Sequence, residues 1–234
     1  MPFDPFGDFE TRGYLRNLRA YKTAAAVKRF EHREYYRTLQ LARDHLTGVA
    51  TIGYDALLAT HRTLFATVYP WAGHDRAVLG VANAVVRGRL HFATAEHIRR
   101  VASQALTLAN DAAIMAKQPG LLISELAFAH PFLEGNGRTL LVVQTELARR
   151  AGISIDWRDI PLRTYLVELT KEIVLPGSGY LDGFLKPYVQ ANPDRIIVER
   201  HQPAFDTAAP VTRPLAYPDP VLRGPRPDGA ARWR

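Results

Sequence analysis

His130 stands four residues before Glu134, and Arg138 closes a Gly135-Asn136-Gly137 triplet directly after it. Histidine is the side chain best suited to take a proton from an incoming hydroxyl near neutral pH. Glycines flanking an asparagine favour a tight loop with positive φ. Such a loop, opening into a helix at Arg138, gathers backbone N–H groups at the positive end of the helix dipole. With the Arg138 guanidinium beside them, Gly135, Asn136 and Gly137 form a cradle for phosphate. Glu134 conflicts with this, because a carboxylate repels phosphate. A divalent cation removes the conflict: Mg²⁺ takes one or two protein carboxylates and completes its shell with phosphate oxygens and water. A base, a metal carboxylate, a phosphate loop and an arginine within nine residues are equipment for phosphoryl or nucleotidyl transfer.

Two helices must carry this loop. Leu122, Leu126 and Ala129 mark one face of a helix that ends at His130, and Pro131 stops it. Leu141, Val142 and Leu147 form an apolar stripe on the helix that follows. Across the chain, apolar spacing predicts helices near 23–47, 54–66, 93–117, 121–130, 138–151, 160–174 and 178–190. Gly48, Pro119-Gly120 and Gly152 supply stop signals, and Thr94-Ala95-Glu96 supplies a start. Residues 77–92, AVLGVANAVVRGRLHF, lack a helical stripe and read as a short hairpin. The predicted fold is mostly α, with that hairpin on its surface. Eight of the 16 prolines fall in residues 191–234, which read as an irregular Pro-rich tail.

The 234 residues, 47% of them hydrophobic, suffice for one large domain with a buried core. Absence of cysteine excludes a disulfide framework, a thiolate nucleophile and Cys-ligated metal centres, and fits a cytoplasmic setting. No apolar run approaches the ~18–20 residues of a membrane span, and Met1-Pro2-Phe3-Asp4 lacks the basic start of a secretory signal. The net charge of +7 attracts polyanions without choosing among them. Residues 12–43 hold nine Lys/Arg against only Glu31 and Glu34, interleaved with Tyr14, Tyr21, Phe30, Tyr35 and Tyr36. That pattern reads first as a solvated amphipathic helix and second as a docking face. Tyr69 and Trp71 read as packing residues, with adenine stacking the alternative. His74 and Arg76 are candidate contacts for a target or nucleotide, or plain surface groups. His91 and His97 have no partner at metal-ligand spacing, and no Walker-type phosphate loop occurs.

His130-Pro131-Phe132-Leu133-Glu134-Gly135-Asn136-Gly137-Arg138 resembles the Fic (filamentation induced by cAMP) motif, H-P-F-x-[DE]-G-N-G-R, at every specified position. Leu64 to Gly73, LFATVYPWAG, resembles the segment preceding the target-binding flap of that family, and hairpin 77–92 lies where the flap belongs. The resemblance implies a Fic-fold helical bundle over residues 1–190, with a core of about 11–190 and the motif at 130–138; the tail, 191–234, lies outside it. It further implies AMP transfer from ATP to a Ser, Thr or Tyr hydroxyl of a target protein. His130 would be the general base and Glu134 would hold Mg²⁺. Gly135, Asn136 and Gly137 would form the anion hole, Arg138 would contact the phosphates, and Phe132 would pack as a structural residue. The flap, Val81, Ala82, Asn83, Ala84 and Val85, would dock the target by strand addition.

One position departs from the family pattern. Members that transfer AMP carry a second arginine where this chain has Leu141. Phosphate-transferring relatives also lack it, but they carry lysine at the position of Gly137, which is retained here. AMP transfer is therefore the first expectation, a phosphotransferase or a transferase using another donor the second. A catalytically weak binding module docking a partner through its flap is the third. The family's inhibitory [ST]-x-x-x-E-[GN] helix is not found, so any inhibitor is expected to be a separate antitoxin-like partner. Nucleic acid is not expected as a partner. The expected setting is the cytoplasm, with delivery into another cell as an effector the alternative.

Overall fold

The computed structural model describes residues 15–81, 86–87 and 90–191. Most of the tail, and the flap positions Ala82, Asn83, Ala84 and Val85, lie outside the described residues. Helix α1 (Ala24–Thr47) starts where Thr23 Oγ1 accepts the Ala26 N–H at 3.3 Å. Val27, Phe30, Glu31, Glu34, Tyr35, Thr38, Leu39, Ala42 and Leu46, three or four residues apart, form its inner face. Helix α2 (Tyr54–Phe65) packs against it. The predicted hairpin is present but short: β1 (Val86–Arg87) and β2 (Leu90–His91) pair antiparallel, Val86 with His91 and Arg87 with Leu90.

The single helix expected over 93–117 is divided. A 3₁₀ turn at Ala95–His97 leads into α3 (Ile98–Ala109), and α4 (Ala112–Lys117) starts afresh. Asp111 causes the restart: its backbone is extended and its Oδ1 accepts the N–H groups of Ala113 and Ile114 at 2.9 and 3.1 Å. Before it, Asn110 trades two hydrogen bonds with the Ile52 backbone, tying the break to the loop ahead of α2.

Helix α5 (Pro119–Ala129) lies at the centre, against α3, α6 (Asn136–Arg150), α7 (Leu162–Val174) and α8 (Tyr180–Leu185). None of its residues is exposed, the mark of a helix buried on all sides. Three apolar clusters meet around it. The largest includes Phe30, Leu57, Phe65, Trp71, Leu106, Leu126, Phe132 and Val142; a smaller one includes Ile123, Leu141, Trp157, Tyr165 and Leu181; a third joins Leu90, Phe92 and Ile173. The helix expected over 178–190 ends at Leu185, and a 3₁₀ turn with Pro187 leads into β4 (Val189–Gln190). There the chain pairs antiparallel with β3 (Ser154–Ile155).

The N-terminus of α5 is clamped by α8. Asp182 accepts the N–H groups of Gly120 and Leu121 at 2.6 and 3.1 Å, satisfying donors that a helix start leaves open. A Cβ at Gly120 would lie 2.5 Å from the Asp182 backbone nitrogen, and backbone cannot step aside. Gly120→Ala should therefore destabilise the protein by about 1–3 kcal/mol despite alanine's better helix propensity. Thermal unfolding checks this, and an unchanged Tm would refute so close an approach of α5 and α8.

Candidate active site

At the end of α5, His130 has a left-handed backbone, φ 41° and ψ 58°. That conformation costs a non-glycine residue ~1–3 kcal/mol and persists only where surroundings enforce it. The enforcer is Arg76, which is fully buried. Its Nε donates to the His130 carbonyl at 2.9 Å and its NH2 to the Ala93 carbonyl at 2.7 Å. Its own backbone N–H donates to the Pro131 carbonyl at 2.8 Å. Burial lowers the pKa of this guanidinium, and the neighbouring Asp75 opposes the shift. Arg76 is therefore a structural tie across the flap's root, and neither a target contact nor a surface group.

His61 of α2 braces the loop from the other side. Its Nδ1 accepts the Gly73 N–H at 2.8 Å, so Nε2 must carry the proton, which it donates to the Glu134 carbonyl at 3.1 Å. Burial pushes its pKa down to about 3, keeping the ring neutral. The ring stacks on Phe132 with centroids 3.7 Å apart; Phe132, wholly buried, packs as expected.

Asn136 defines the state of His130. The Phe132 N–H donates to Asn136 Oδ1 at 2.9 Å, and Asn136 Nδ2 donates to the Phe132 carbonyl at 2.7 Å, which fixes the amide's orientation. The second Nδ2 hydrogen faces His130 Nε2 at 3.2 Å. Nε2 therefore presents its lone pair, and the proton of a neutral ring sits on Nδ1. Phe92, at the flap's exit, stacks on the same ring with centroids 4.1 Å apart.

Gly135 takes φ 79°, and a Cβ there would lie 2.6 Å from Phe65, so no other residue fits. Gly137 is the opposite case: it is exposed, and nothing lies within 4 Å of where its Cβ would stand. The first helical bond of α6 runs from the Thr139 N–H to the Gly135 carbonyl. The N–H groups of Gly137 and Arg138 ahead of it are thus first-turn donors without a helical partner.

Four charges close the loop's other flank. Arg138 NH2 pairs with Glu31 of α1 and lies 3.6 Å from Glu134 Oε1. Lys28 Nζ, also from α1, lies 3.0 Å from Glu31 Oε2 and 3.2 Å from Glu134 Oε2. Two cations and two carboxylates balance. Burial alone would raise the Glu134 pKa, but Lys28, Arg138 and the Gly135 N–H together hold it at about 2. Burial likewise disfavours charge on Lys28 and Arg138, and the two carboxylates outweigh it, raising both pKa values. Arg138 is only 11% exposed, with its guanidinium 4.8 Å from the Phe65 ring centre.

The fold thus gathers His130, Glu134 and Gly135 of the loop with Asn136, Gly137 and Arg138 of the first turn of α6, but Arg138 is held among carboxylates and rings. Val81 sits at the flap's root, its N–H on the Arg76 carbonyl at 2.8 Å. Leu141, one turn beyond Arg138, does not share its surroundings: it is buried in the apolar cluster beside Trp157 and Tyr165. Trp71 and Tyr69 are buried and stacked on each other at 4.5 Å, as packing residues should be. His61, Lys28 and Glu31 are the site's unanticipated members, and Arg76 belongs to it in a role other than the one expected. For Glu31 a signal existed: it is one of two acids amid nine cations. His61 and Arg76 act through contacts remote in sequence, which local pattern does not carry.

The helical architecture with its paired flap strands and the H-P-F-x-E-G-N-G-R turn together define the class: residues 51–148 match the Fic/DOC family, and this segment is a Fic/DOC domain. The chain is 36% identical over 163 residues to protein adenylyltransferase VbhT of Bartonella schoenbuchensis, a match spanning 66% of this chain and 32% of that protein. It is 32% identical over 117 residues to probable protein adenylyltransferase y4lH of Sinorhizobium fredii, over 46% of this chain and 58% of that protein. The chain therefore spans about a third of the first curated relative and somewhat over half of the second. Among solved structures, the BepC protein of Bartonella tribocorum, a VirB-translocated effector with bound AMPPNP, shares the fold. Its TM-score is 0.64 at 17% identity, covering 77% of this chain and 94% of that one.

Two outcomes follow from this arrangement. Glutamate at its ordinary pKa of 4.5 in the unfolded chain, against about 2 here, means that the ionised Glu134 stabilises the fold above about pH 4.5 and loses that effect as pH falls towards 2. The stability gap between wild type and Glu134→Gln, read from Tm against pH, should be widest at neutral pH and close on acidification; a gap independent of pH would refute the ion cluster. Leu141→Arg should cost about 3 kcal/mol or more by placing a charge among apolar side chains. A variant as stable as wild type would show that this position can turn outwards.

Proposed function

We propose that this domain transfers AMP from Mg-ATP to a Ser, Thr or Tyr hydroxyl of a target protein, releasing pyrophosphate. The observation that carries the reading is the His130 tautomer: a buried imidazole whose Nε2 lone pair is oriented by Asn136, next to the N–H donors at the start of α6. The incoming hydroxyl displaces the Asn136 N–H from His130 Nε2, which takes the hydroxyl proton; the hydroxyl oxygen forms its bond to the α-phosphorus, and the bond from that phosphorus to the bridging oxygen breaks. The first-turn N–H groups receive the charge that develops on the phosphate oxygens, and the space beside Gly137 leaves room for them. The adenylyltransferase names of the curated relatives support the reading, as does the AMPPNP in the fold neighbour.

Glu134 fits a magnesium ligand. Its carboxylate is held ionised, one oxygen is tied to the Gly135 N–H at 3.0 Å, and the other meets only a partly exposed ammonium. One such carboxylate plus phosphate oxygens and water suits Mg²⁺, which when bound neutralises phosphate charge. We place the Fic-like domain at residues 1–190, with its core at about 11–190 and target docking along the flap near Val81–Val85. No helix among the described residues is long and apolar enough to cross a membrane. We assign the domain to the cytoplasm, either of its own cell or, like the effector it resembles in fold, of a recipient cell, with restraint by a separate antitoxin-like partner.

Incubation with lysate and ATP labelled at the α- or the γ-phosphate tests this. Label should reach protein from α-labelled ATP alone, and His130→Ala should reduce it at least about a hundredfold. Transfer solely from the γ-label would establish phosphoryl transfer instead, and nucleotide binding without transfer from either would establish a docking module.

A further inference from the structure

Lys28 enters the site from α1, outside the segment that matches the family. Its ammonium bridges Glu31 Oε2 and Glu134 Oε2, yet its side chain is 49% exposed. Arg138, the other cation of the cluster, is fixed by Glu31 and by the rings of Tyr35 and Phe65. Of the two, Lys28 is the one at the solvent edge, on a flexible four-carbon stem with three rotatable donors.

We infer that Lys28 binds the terminal phosphates of the nucleotide, supplying from α1 the second cation that Leu141 does not. The inference rests on the reading of this site as a Mg-nucleotide site. Charge balance is the first argument. Without Lys28, Arg138 would face both Glu31 and Glu134, and the net negative charge would repel a polyphosphate. The second argument is competition for one atom. Glu134 Oε2 holds the ammonium at 3.2 Å, and a divalent ion needs that oxygen at about 2.0–2.1 Å. A divalent ion there would weaken that contact by repulsion, leaving the ammonium on Glu31 Oε2 at 3.0 Å with rotatable donors to offer the nucleotide's terminal phosphates. The third is that Leu141 is committed to an apolar cluster and offers no polar atom.

Calorimetric titration of the full-length chain with ATP, ADP and AMP in the presence of Mg²⁺ tests this for wild type, Lys28→Met and Lys28→Arg. Both variants keep good helix formers at a half-exposed position, and thermal unfolding verifies that they fold; Lys28→Gln serves if the methionine variant does not. Lys28→Met should weaken ATP binding at least about tenfold, the loss of a charge-assisted contact. ADP should weaken less, AMP by under about twofold, and Lys28→Arg should stay within about threefold of wild type. Unchanged ATP affinity in Lys28→Met, or equal losses for ATP and AMP, would overturn the assignment while leaving the nucleotide site intact. A wild-type protein with no affinity for any of the three would overturn the nucleotide reading itself, and Lys28 with it.

Discussion

The buried guanidinium of Arg76 ties together two segments far apart in sequence, the end of α5 and the exit of the flap, while its backbone N–H holds the turn after α5. Everything chemical in the site hangs on the left-handed backbone at His130, and that conformation is unfavourable on its own. Arg76 offsets the cost with charge-assisted hydrogen bonds to the His130 and Ala93 carbonyls. The flap's two roots, at Arg76 and at Phe92-Ala93, both grip the same histidine, one through its backbone and the other through its ring. The surface expected to receive a target and the base expected to act on it are thereby fixed to one frame.

Opposite that frame stands an ion cluster with no net charge. Its members come from α1 and from the loop–α6 junction, and their charges neutralise one another within a few ångströms. Removing one partner from such a cluster costs far more than the cluster contributes relative to apolar residues. It is therefore better understood as a device for keeping charged groups ready at a low-dielectric edge than as a source of stability. The +7 of the whole chain says little about it, because the site itself sums to zero.

Much of this was legible in the sequence, and the boundary of legibility is physical. The helices follow from apolar spacing, and the His130–Arg138 loop from glycine, proline and residue chemistry within a short span. Asp111 is a capping residue whose signal was overridden by apolar periodicity running on through it, so one helix was expected where two exist. Pro187 likewise ends the last helix earlier than its apolar pattern suggests. The role of Arg76 depends on carbonyls 17 and 54 residues away, and the placing of Lys28 on Glu134, remote in sequence; neither leaves a local trace. Arg138 shows the converse: its type invited a phosphate contact, while burial beside Glu31 gives it a neighbour the motif alone does not display.

Helix α5 has no exposed residue, is clamped at its first turn by Asp182, and delivers its last residue directly into His130. Segments buried on every side open least often and exchange their amide hydrogens most slowly. The His130 imidazole is thus mounted at the tip of a helix buried on every side and anchored at the far end. In the proposed reaction, accommodation of differing targets would then fall to the partner segment and the strands expected to receive it, while His130 stays where the core has set it.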